Sequence, residues 1–360
     1  MDILIYVATG LIVVATLLPL SRNPHWIIRG FDFPRMQLAC CAALLILLQL
    51  IFLNLSEIPS WAVIAATALC LAWQLWWVLP YTKLWRTEVR ASKNVDADRQ
   101  LSILTANVLT SNRDVHKLIA LVNKFKPDVL VTLESDKWWE SELECLEVDM
   151  PETMKCPLDN LYGMHVYSRL PLHEKKISFL VEEDIPSMHA RLELGSGDRV
   201  LMHFLHPAPP SPTENDESEE RDAELIIVAR SVADNDQPII VTGDLNDVAW
   251  SRTTRLFRKL SGLLDPRVGR GMFNTFHADY SLLRWPLDHL FHSDHFSVRS
   301  IQRLPSIGSD HFPLLSRLSF TPAKSEEQDG LNADQDDKAF ASSVANSQDV
   351  NKSDVPEPGA

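Results

Sequence analysis

The chain has 360 residues, enough for one large domain or two ordinary ones. Its formal charge of −14 disfavours non-specific attraction to nucleic acid, although much of the acid lies in two segments outside the mixed, globular middle. The five cysteines form no CxxC or Cys/His spacing that would suggest zinc, and they read as unpaired thiols in a reducing compartment. A Cys145–Cys156 bridge would instead imply an oxidising one.

Three apolar runs open the chain, at about 3–20, 37–53 and 61–80, each close to the roughly 20 residues that span a bilayer as a helix. The third ends in Trp76, Trp77 and Tyr81, which suit an interfacial aromatic belt. A cleaved signal peptide is disfavoured: the first run lacks a basic leader and a small-x-small site, and two more runs follow. Arg22, Arg29 and Arg35 lie in the first loop, Glu57 in the second, and Lys83, Arg86, Arg90 and Lys93 after the third run. The positive-inside rule then places the amino terminus outside and everything after residue 81 in the cytoplasm. The expected organisation is a membrane anchor over 1–81, a juxtamembrane linker over 82–98, a mixed α/β domain over 99–320 and a disordered acidic tail over 321–360.

Within 99–320 short strands alternate with amphipathic helices. Strands are predicted at 101–106, 129–133, 163–168, 176–181, 188–194, 199–206, 238–243, 287–291 and 312–318. Ser111-x-x-Asp114 resembles a capping box, after which Val115, Leu118, Ile119, Val122 and Phe125 fall on one helical face. Further helices are predicted near 219–233 and 250–260, and 207–222 reads as a mobile loop. Several strands read as hairpin neighbours, so the sheet is not purely parallel.

Ionisable and amide residues recur at strand ends: Asn107, Glu134, His206, Asp244, Asn246, Asp288, Asp310 and His311. Loops at strand ends commonly build active sites in α/β proteins. Each residue alone suits a turn or cap, but so many in order do not reduce to that. Carboxylates and an amide oxygen suit Mg²⁺ or Mn²⁺, and histidine titrates where acid–base work is done. His203 alternates away from His206 on its strand and is expected to face the other side. His289, His292 and His295 lie at a spacing unsuited to a helical metal box and read as surface residues. Arg169 and Arg252 suit either a phosphate contact or a structural ion pair.

The order and local sequence of Thr105-Ala106-Asn107-Val108, Leu133-Glu134, His206-Pro207, Gly243-Asp244-Leu245-Asn246, Leu287-Asp288-His289 and Ser309-Asp310-His311 resemble the motifs of the endonuclease/exonuclease/phosphatase superfamily. Residues 167–172 look like that family's Ser-Arg-x-Pro-Leu segment, and the resemblance spans about 99–320. It implies an α/β fold of the deoxyribonuclease I type, a two-sheet sandwich flanked by helices, here preceded by three transmembrane helices as in a membrane-anchored, bacterial-type member. It implies metal binding by Glu134, with Asn107 nearby and Asp310 as a further carboxylate. It implies that Asp244 and Asn246 orient water and phosphate, that His311 is the catalytic histidine with its tautomer fixed by Asp288, and that His206 contacts the scissile phosphate. The expected activity is Mg²⁺- or Mn²⁺-dependent phosphoester hydrolysis at a membrane. The expected substrate is a phosphate ester, with a lipid headgroup, a nucleic acid and a small phosphoester all open, and no obligate protein partner is expected. The rival readings are a DNA or RNA nuclease and a catalytically inactive, membrane-tethered interaction module.

Overall fold

The computed structural model describes residues 2–93, 96–233, 235–322 and 328–357. In chain order the elements are α1 (Asp2–Leu17), α2 (Trp26–Gly30), α3 (Arg35–Phe52), α4 (Ile58–Val78), β1 (Gln100–Asn107), α5 (Val115–Phe125), β2 (Val129–Leu133), α6 (Lys137–Leu143), β3 (Glu152–Cys156), β4 (Met164–Ser168), β5 (Leu172–Ser178) and β6 (Ser187–Glu193). Then come β7 (Arg199–Leu205), α7 (Glu219–Val232), β8 (Ile239–Asp244), α8 (Arg252–Ser261), β9 (Asp288–His292), β10 (Phe296–Arg303), β11 (Leu314–Phe320) and α9 (Gln335–Ser347).

The strands form two mixed sheets, one ordered β10-β11-β1-β2-β4-β3 and the other β5-β6-β7-β8-β9. Alternation along each strand divides the core into layers. Val200, Met202 and Phe204 face the first sheet and pack with Ile103, Val131 and Val166 between the sheets. Leu201, Leu205 and Val241 face outward under α7 and α8, whose Ile226, Val228 and Phe257 cover them. Helices α5 and α6 cover the outside of the first sheet through Leu118, Val122 and Trp139. In both sheets a parallel pair sits at the centre, β1 beside β2 and β7 beside β8, and the two pairs end at the same edge of the sandwich. Across the core, the Thr105 and Thr242 hydroxyls lie 3.2 Å apart and tie the sheets together just below that edge.

Three helical stretches, Asp2–Leu20, Arg35–Phe52 and Ile58–Tyr81, are long and apolar enough to cross a membrane. Their outward faces expose Ile3, Leu11, Leu44, Leu47, Leu69 and Trp76, as lipid-facing surfaces do. Inside the bundle Gln49 donates to the Thr9 and Thr67 hydroxyls and Gln74 to Thr16, the interhelical polar contacts used where water is absent. The bundle is built into the domain. Tyr81 donates its hydroxyl to the Ala249 carbonyl, the Trp250 indole donates to the Asp32 carbonyl, and Gln37 donates to the Leu282 carbonyl.

Several sequence-based expectations need correction. Helix α9 lies in the segment expected to be disordered. It buries Ala341, Val344 and Ala345 against α7, so three small apolar residues on one face outweigh an acidic composition; residues 323–327 and 358–360 lie outside the described residues. Residues 82–93 are not a free linker: Val89 enters the main core and the Ser92 amide donates to the Val298 carbonyl on the edge of β10. The segment 207–217 is pinned to the first interhelical loop, where the Trp26 amide donates to the Asp216 carbonyl and the Ser218 amide to that of Pro24. Asp114, not Ser111, precedes α5, and its side chain makes no capping bond. His289, His292 and His295 are buried. Each has found a long-range or local polar partner: His289 contacts the Arg267 guanidinium and the Asp247 carbonyl, His292 the Ser293 carbonyl, and His295 the Ser293 hydroxyl.

Candidate active site

The edge where both parallel pairs end collects the strand-end residues. Asn107 closes β1, Glu134 follows β2, His206 follows β7, Asp244 closes β8, Asp288 opens β9, and Asp310-His311 precedes β11. Glycine is required at 243. Its φ is +149°, and a Cβ there would lie 1.9 Å from the Leu205 carbonyl oxygen of the neighbouring strand. Asn246 and Glu134 hold positive φ angles of 51° and 58°, backbone strain of the kind that gathers at functional sites.

At the centre is a carboxylate–imidazole–carboxylate array. His311 Nδ1 lies 2.9 Å from Asp288 Oδ2, and its Nε2 lies 3.4 Å from Asp244 Oδ2. All three side chains are buried. Burial alone would lower the pKa of His311, but the Asp244 and Asp288 carboxylates outweigh it and hold the imidazole at about 10. The ring is therefore a cation at neutral pH, and Asp288 supports a charge as well as an orientation. Asp244 is pushed up by burial and pulled down by His311, and it also accepts from the Asn246 amide at 2.9 Å. His206 is driven to about 4 by burial, so it is neutral, and its Nδ1 has no hydrogen-bond partner among the described residues.

Glu134 lies on the other side of Asn107. Burial raises its carboxyl to about 7 against the hydrogen bond from Asn107, and its Oε2 is buried without a partner. Asn107 donates its amide to Glu134 Oε1 at 2.7 Å and to Asp244 Oδ2 at 3.3 Å, while its carbonyl accepts from the Leu109 amide. The expected ligand is thus turned with nitrogen toward the carboxylates, and it bridges them instead of offering them a lone pair. Asp310 is half-buried and takes a hydrogen bond from Ser309. Asp244, Asp288 and His311 also come within 4.8 Å of one another as possible metal ligands. Both imidazole nitrogens in that trio are committed to carboxylates, so the orphaned oxygen of Glu134, with Asp310 on the same cavity wall, fits a hard divalent cation better.

Glu134, His206, Asn246, Asp310 and His311 line one cavity of about 370 Å³. Its apolar walls were not foreseen. Tyr162 stands 5.3 Å, ring to ring, from His206, and Phe276 stands 4.9 Å from His311. Phe33, from the turn between α2 and α3, completes the rim. Beneath the site Arg221 donates to the Asn246 carbonyl and pairs with Asp222, which fixes the turn after β8. Asp247, next to Asn246 in the sequence, was a visible acid of that turn, whereas Arg221 carried no local signal. Arg169 is structural: it donates to the Pro127 and Asp149 carbonyls. His203 lies on the face of β7 shared with Leu201 and Leu205, opposite the sandwich core, and contacts His189 at 2.7 Å.

A two-sheet sandwich with buried aspartates, a histidine and a glutamate at one strand-end edge defines a class of phosphoester-cleaving hydrolases. A model of the Endonuclease/Exonuclease/phosphatase family matches residues 104–311, more than half of the chain, and the chain belongs to that family. No curated protein matches the chain. Among solved structures, humanized D. rerio TDP2 is 16% identical with a TM-score of 0.51, over 61% of this chain and 99% of that one. An endonuclease/exonuclease/phosphatase from Beutenbergia cavernae is 18% identical with a TM-score of 0.51, over 62% and 72%. The human Nocturnin catalytic domain with bound sulfate is 18% identical with a TM-score of 0.50, over 63% and 97%. At these identities the likeness is one of fold, and it agrees with the deoxyribonuclease I type expected from the motifs.

Proposed function

We propose that this chain is a membrane-anchored, divalent-metal-dependent phosphoesterase that hydrolyses a phosphoester of a membrane component by direct attack of water. The observation that carries this reading is that His311, bonded to the buried Asp288 and Asp244, lines the same cavity as Glu134, whose Oε2 is unpartnered.

Glu134 and Asp310 would hold the cation, Mg²⁺ or Mn²⁺, which when bound neutralises phosphate charge and supports the leaving oxygen. The chain's own residues do the rest. Asp244 accepts a proton from the attacking water and holds its lone pair toward phosphorus. The His311 imidazolium, 3.4 Å from Asp244 and backed by Asp288, faces the negative charge that develops on the phosphoryl oxygens. Asn246 uses one amide hydrogen on the Pro207 carbonyl at 3.0 Å, which leaves the other for a non-bridging oxygen. Neutral His206, on the same cavity, adds a further donor.

Two features support a membrane phosphoester over a nucleic acid. The cavity rim includes Phe33, two residues before the membrane helix α3 begins, so the cavity sits against the anchor. The chain is also strongly acidic, which opposes polyanion binding. Placement of the domain in the cytoplasm follows from the loop arginines and lysines.

The test is a panel of substrates offered to the full chain in mixed micelles with Mg²⁺ or Mn²⁺: phospholipids, sphingomyelin, duplex and single-stranded DNA, RNA, and bis-p-nitrophenyl phosphate. Turnover of a phospholipid or sphingolipid at least tenfold above any nucleic acid is expected. Preference for DNA or RNA would make the protein a nuclease, and no turnover of any of them would favour the interaction module.

A further inference from the structure

A second cavity, of about 280 Å³, lies where the membrane bundle meets α8 and α9, and it shares no residue with the catalytic one. Its walls are Pro19 and Leu20 after α1, Trp73 and Trp77 of α4, and Arg252 and Arg255 of α8. Its basic groups are not equivalent. Arg35 pairs with Asp32 at 2.5 Å, and Lys259 pairs with Asp337 at 2.6 Å. Arg252 and Arg255 are half-buried, and among the described residues neither has an ion pair or a side-chain hydrogen bond. Each guanidinium rests on a ring instead: Arg252 on Phe340 at 4.5 Å and Arg255 on Trp77 at 4.9 Å. Arg35 stacks on the same Trp77 ring at 4.7 Å, and Arg22 on the same Phe340 ring at 5.7 Å, so each ring serves two cations. Burial lowers the pKa of both Arg252 and Arg255, and Arg22 and Arg29 add to the strain on Arg252. Among the described residues the one carboxylate on the cavity wall, Asp337, is already held by Lys259.

Two half-buried guanidiniums with no salt-bridge partner among the described residues, and only more distant carboxylates acting on them, are stabilised by an anion that joins them. The planar fork of arginine matches phosphate oxygens, and basic pockets between membrane helices at the aqueous face are where anionic headgroups bind. The position of the cavity selects the source of the anion. Its roof is formed by the last turns of two membrane helices, and the neighbouring Leu17, Leu20 and Trp76 are exposed apolar residues able to line acyl chains. We infer that Arg252 and Arg255 form a binding site for the phosphate headgroup of one anionic glycerophospholipid from the adjoining leaflet, separate from the catalytic cavity. The bound lipid fixes the catalytic domain on the bundle by bridging α8 to α1 and α4. This inference does not depend on the catalytic reading.

The full chain in non-ionic detergent is titrated with phosphatidylglycerol or phosphatidylcholine, and bound lipid is counted by native mass spectrometry. With two juxtamembrane arginines engaged, phosphatidylglycerol should bind about tenfold more tightly than phosphatidylcholine. Arg252→Gln/Arg255→Gln should reduce that preference to about twofold or less, whereas Arg252→Lys/Arg255→Lys should keep most of it. Turnover of bis-p-nitrophenyl phosphate should be unchanged in both. A Gln double variant that keeps the wild-type preference overturns the site. Displacement of phosphatidylglycerol by glycerol 3-phosphate at equal concentration overturns the lipid and assigns a soluble phosphate. If the double variant fails to fold, the single variants decide: each should lose part of the preference, and full preference in both refutes the inference.

Discussion

The buried pair of Asp288 and His311 should behave as one unit in turnover. Their contact is 2.9 Å, both side chains are buried, and Asp288 Oδ1 has no other partner, so the carboxylate has little to do apart from His311. His311→Ala removes a positioned catalytic group and should lower kcat by roughly 10²–10⁴-fold. Asp288→Asn keeps the ring but removes one of the two carboxylates that hold it at about 10. Loss of one close opposite charge lowers a pKa by about 1–3 units, so this variant should lose roughly 10–10²-fold, and its activity should fall as pH rises toward the lowered pKa. If the residues were independent, the double variant would lose the product, on the order of 10³–10⁶-fold. If Asp288 acts only through His311, the double variant should match His311→Ala within about threefold, a coupling of roughly 1–3 kcal/mol. The assay is kcat on bis-p-nitrophenyl phosphate with the full chain in detergent, folding being checked by circular dichroism. Multiplying losses in a folded double variant would refute the unit and make Asp288 a separate structural or metal-binding residue.

Gly243→Ala should cost roughly 3 kcal/mol or more, because its methyl group would collide with the Leu205 carbonyl; a thermal midpoint within a degree of wild type would contradict this. Glu224 is fully buried in α7 with an unpartnered Oε1, and desolvation followed by Glu182 raises it to about 8 from 4.5. The fold keeps this proton where the unfolded chain releases it, so the stability it contributes is whole below about pH 4.5 and is lost as pH rises through about 8. Glu224→Gln should therefore flatten the decline in melting temperature between pH 5 and 8 and stabilise the protein at pH 8 by roughly 1–3 kcal/mol. An unchanged pH profile would show that Glu224 is solvated. Reporters fused after residue 95 and near residue 57 should register opposite sides of the membrane, with residue 95 cytoplasmic; activity of an external reporter at residue 95 would reverse the topology.

The parts of the fold legible in the sequence were those whose burial is continuous or strictly alternating. Strands β1, β2, β7 and β8 are almost continuously buried and rich in Val, Ile and Leu, and they are the strands that position the site. The two edge strands of the six-stranded sheet were not legible. β3 buries only Met154, and β10 turns arginines outward and contains a bulge at Val298/Ser300, so neither shows a clean period of two. Strand β5 begins at Leu172, four residues before the expected start, with an irregularity between His173 and Lys176. The side chains that gather at the candidate site were readable in the sequence because each stands at the end of a recognisable strand. Phe33, Tyr162 and Phe276 were not, since they reach the cavity from loops remote in sequence. The buried histidines of β9 were misread as surface residues, because their partners, Arg267 and the Asp247 carbonyl among them, are set by the tertiary fold.

The central claim is that the orphaned oxygen of Glu134 marks a cation site on which hydrolysis depends. It is tested most directly by measuring bis-p-nitrophenyl phosphate turnover by the full chain in excess EDTA, then after adding back Mn²⁺, for wild type and Glu134→Gln. The account predicts that EDTA abolishes wild-type activity, that Mn²⁺ restores it, and that the variant remains at least about 10²-fold below wild type at the same Mn²⁺ concentration. Full wild-type turnover in EDTA, or equal rescue of the variant, would contradict it.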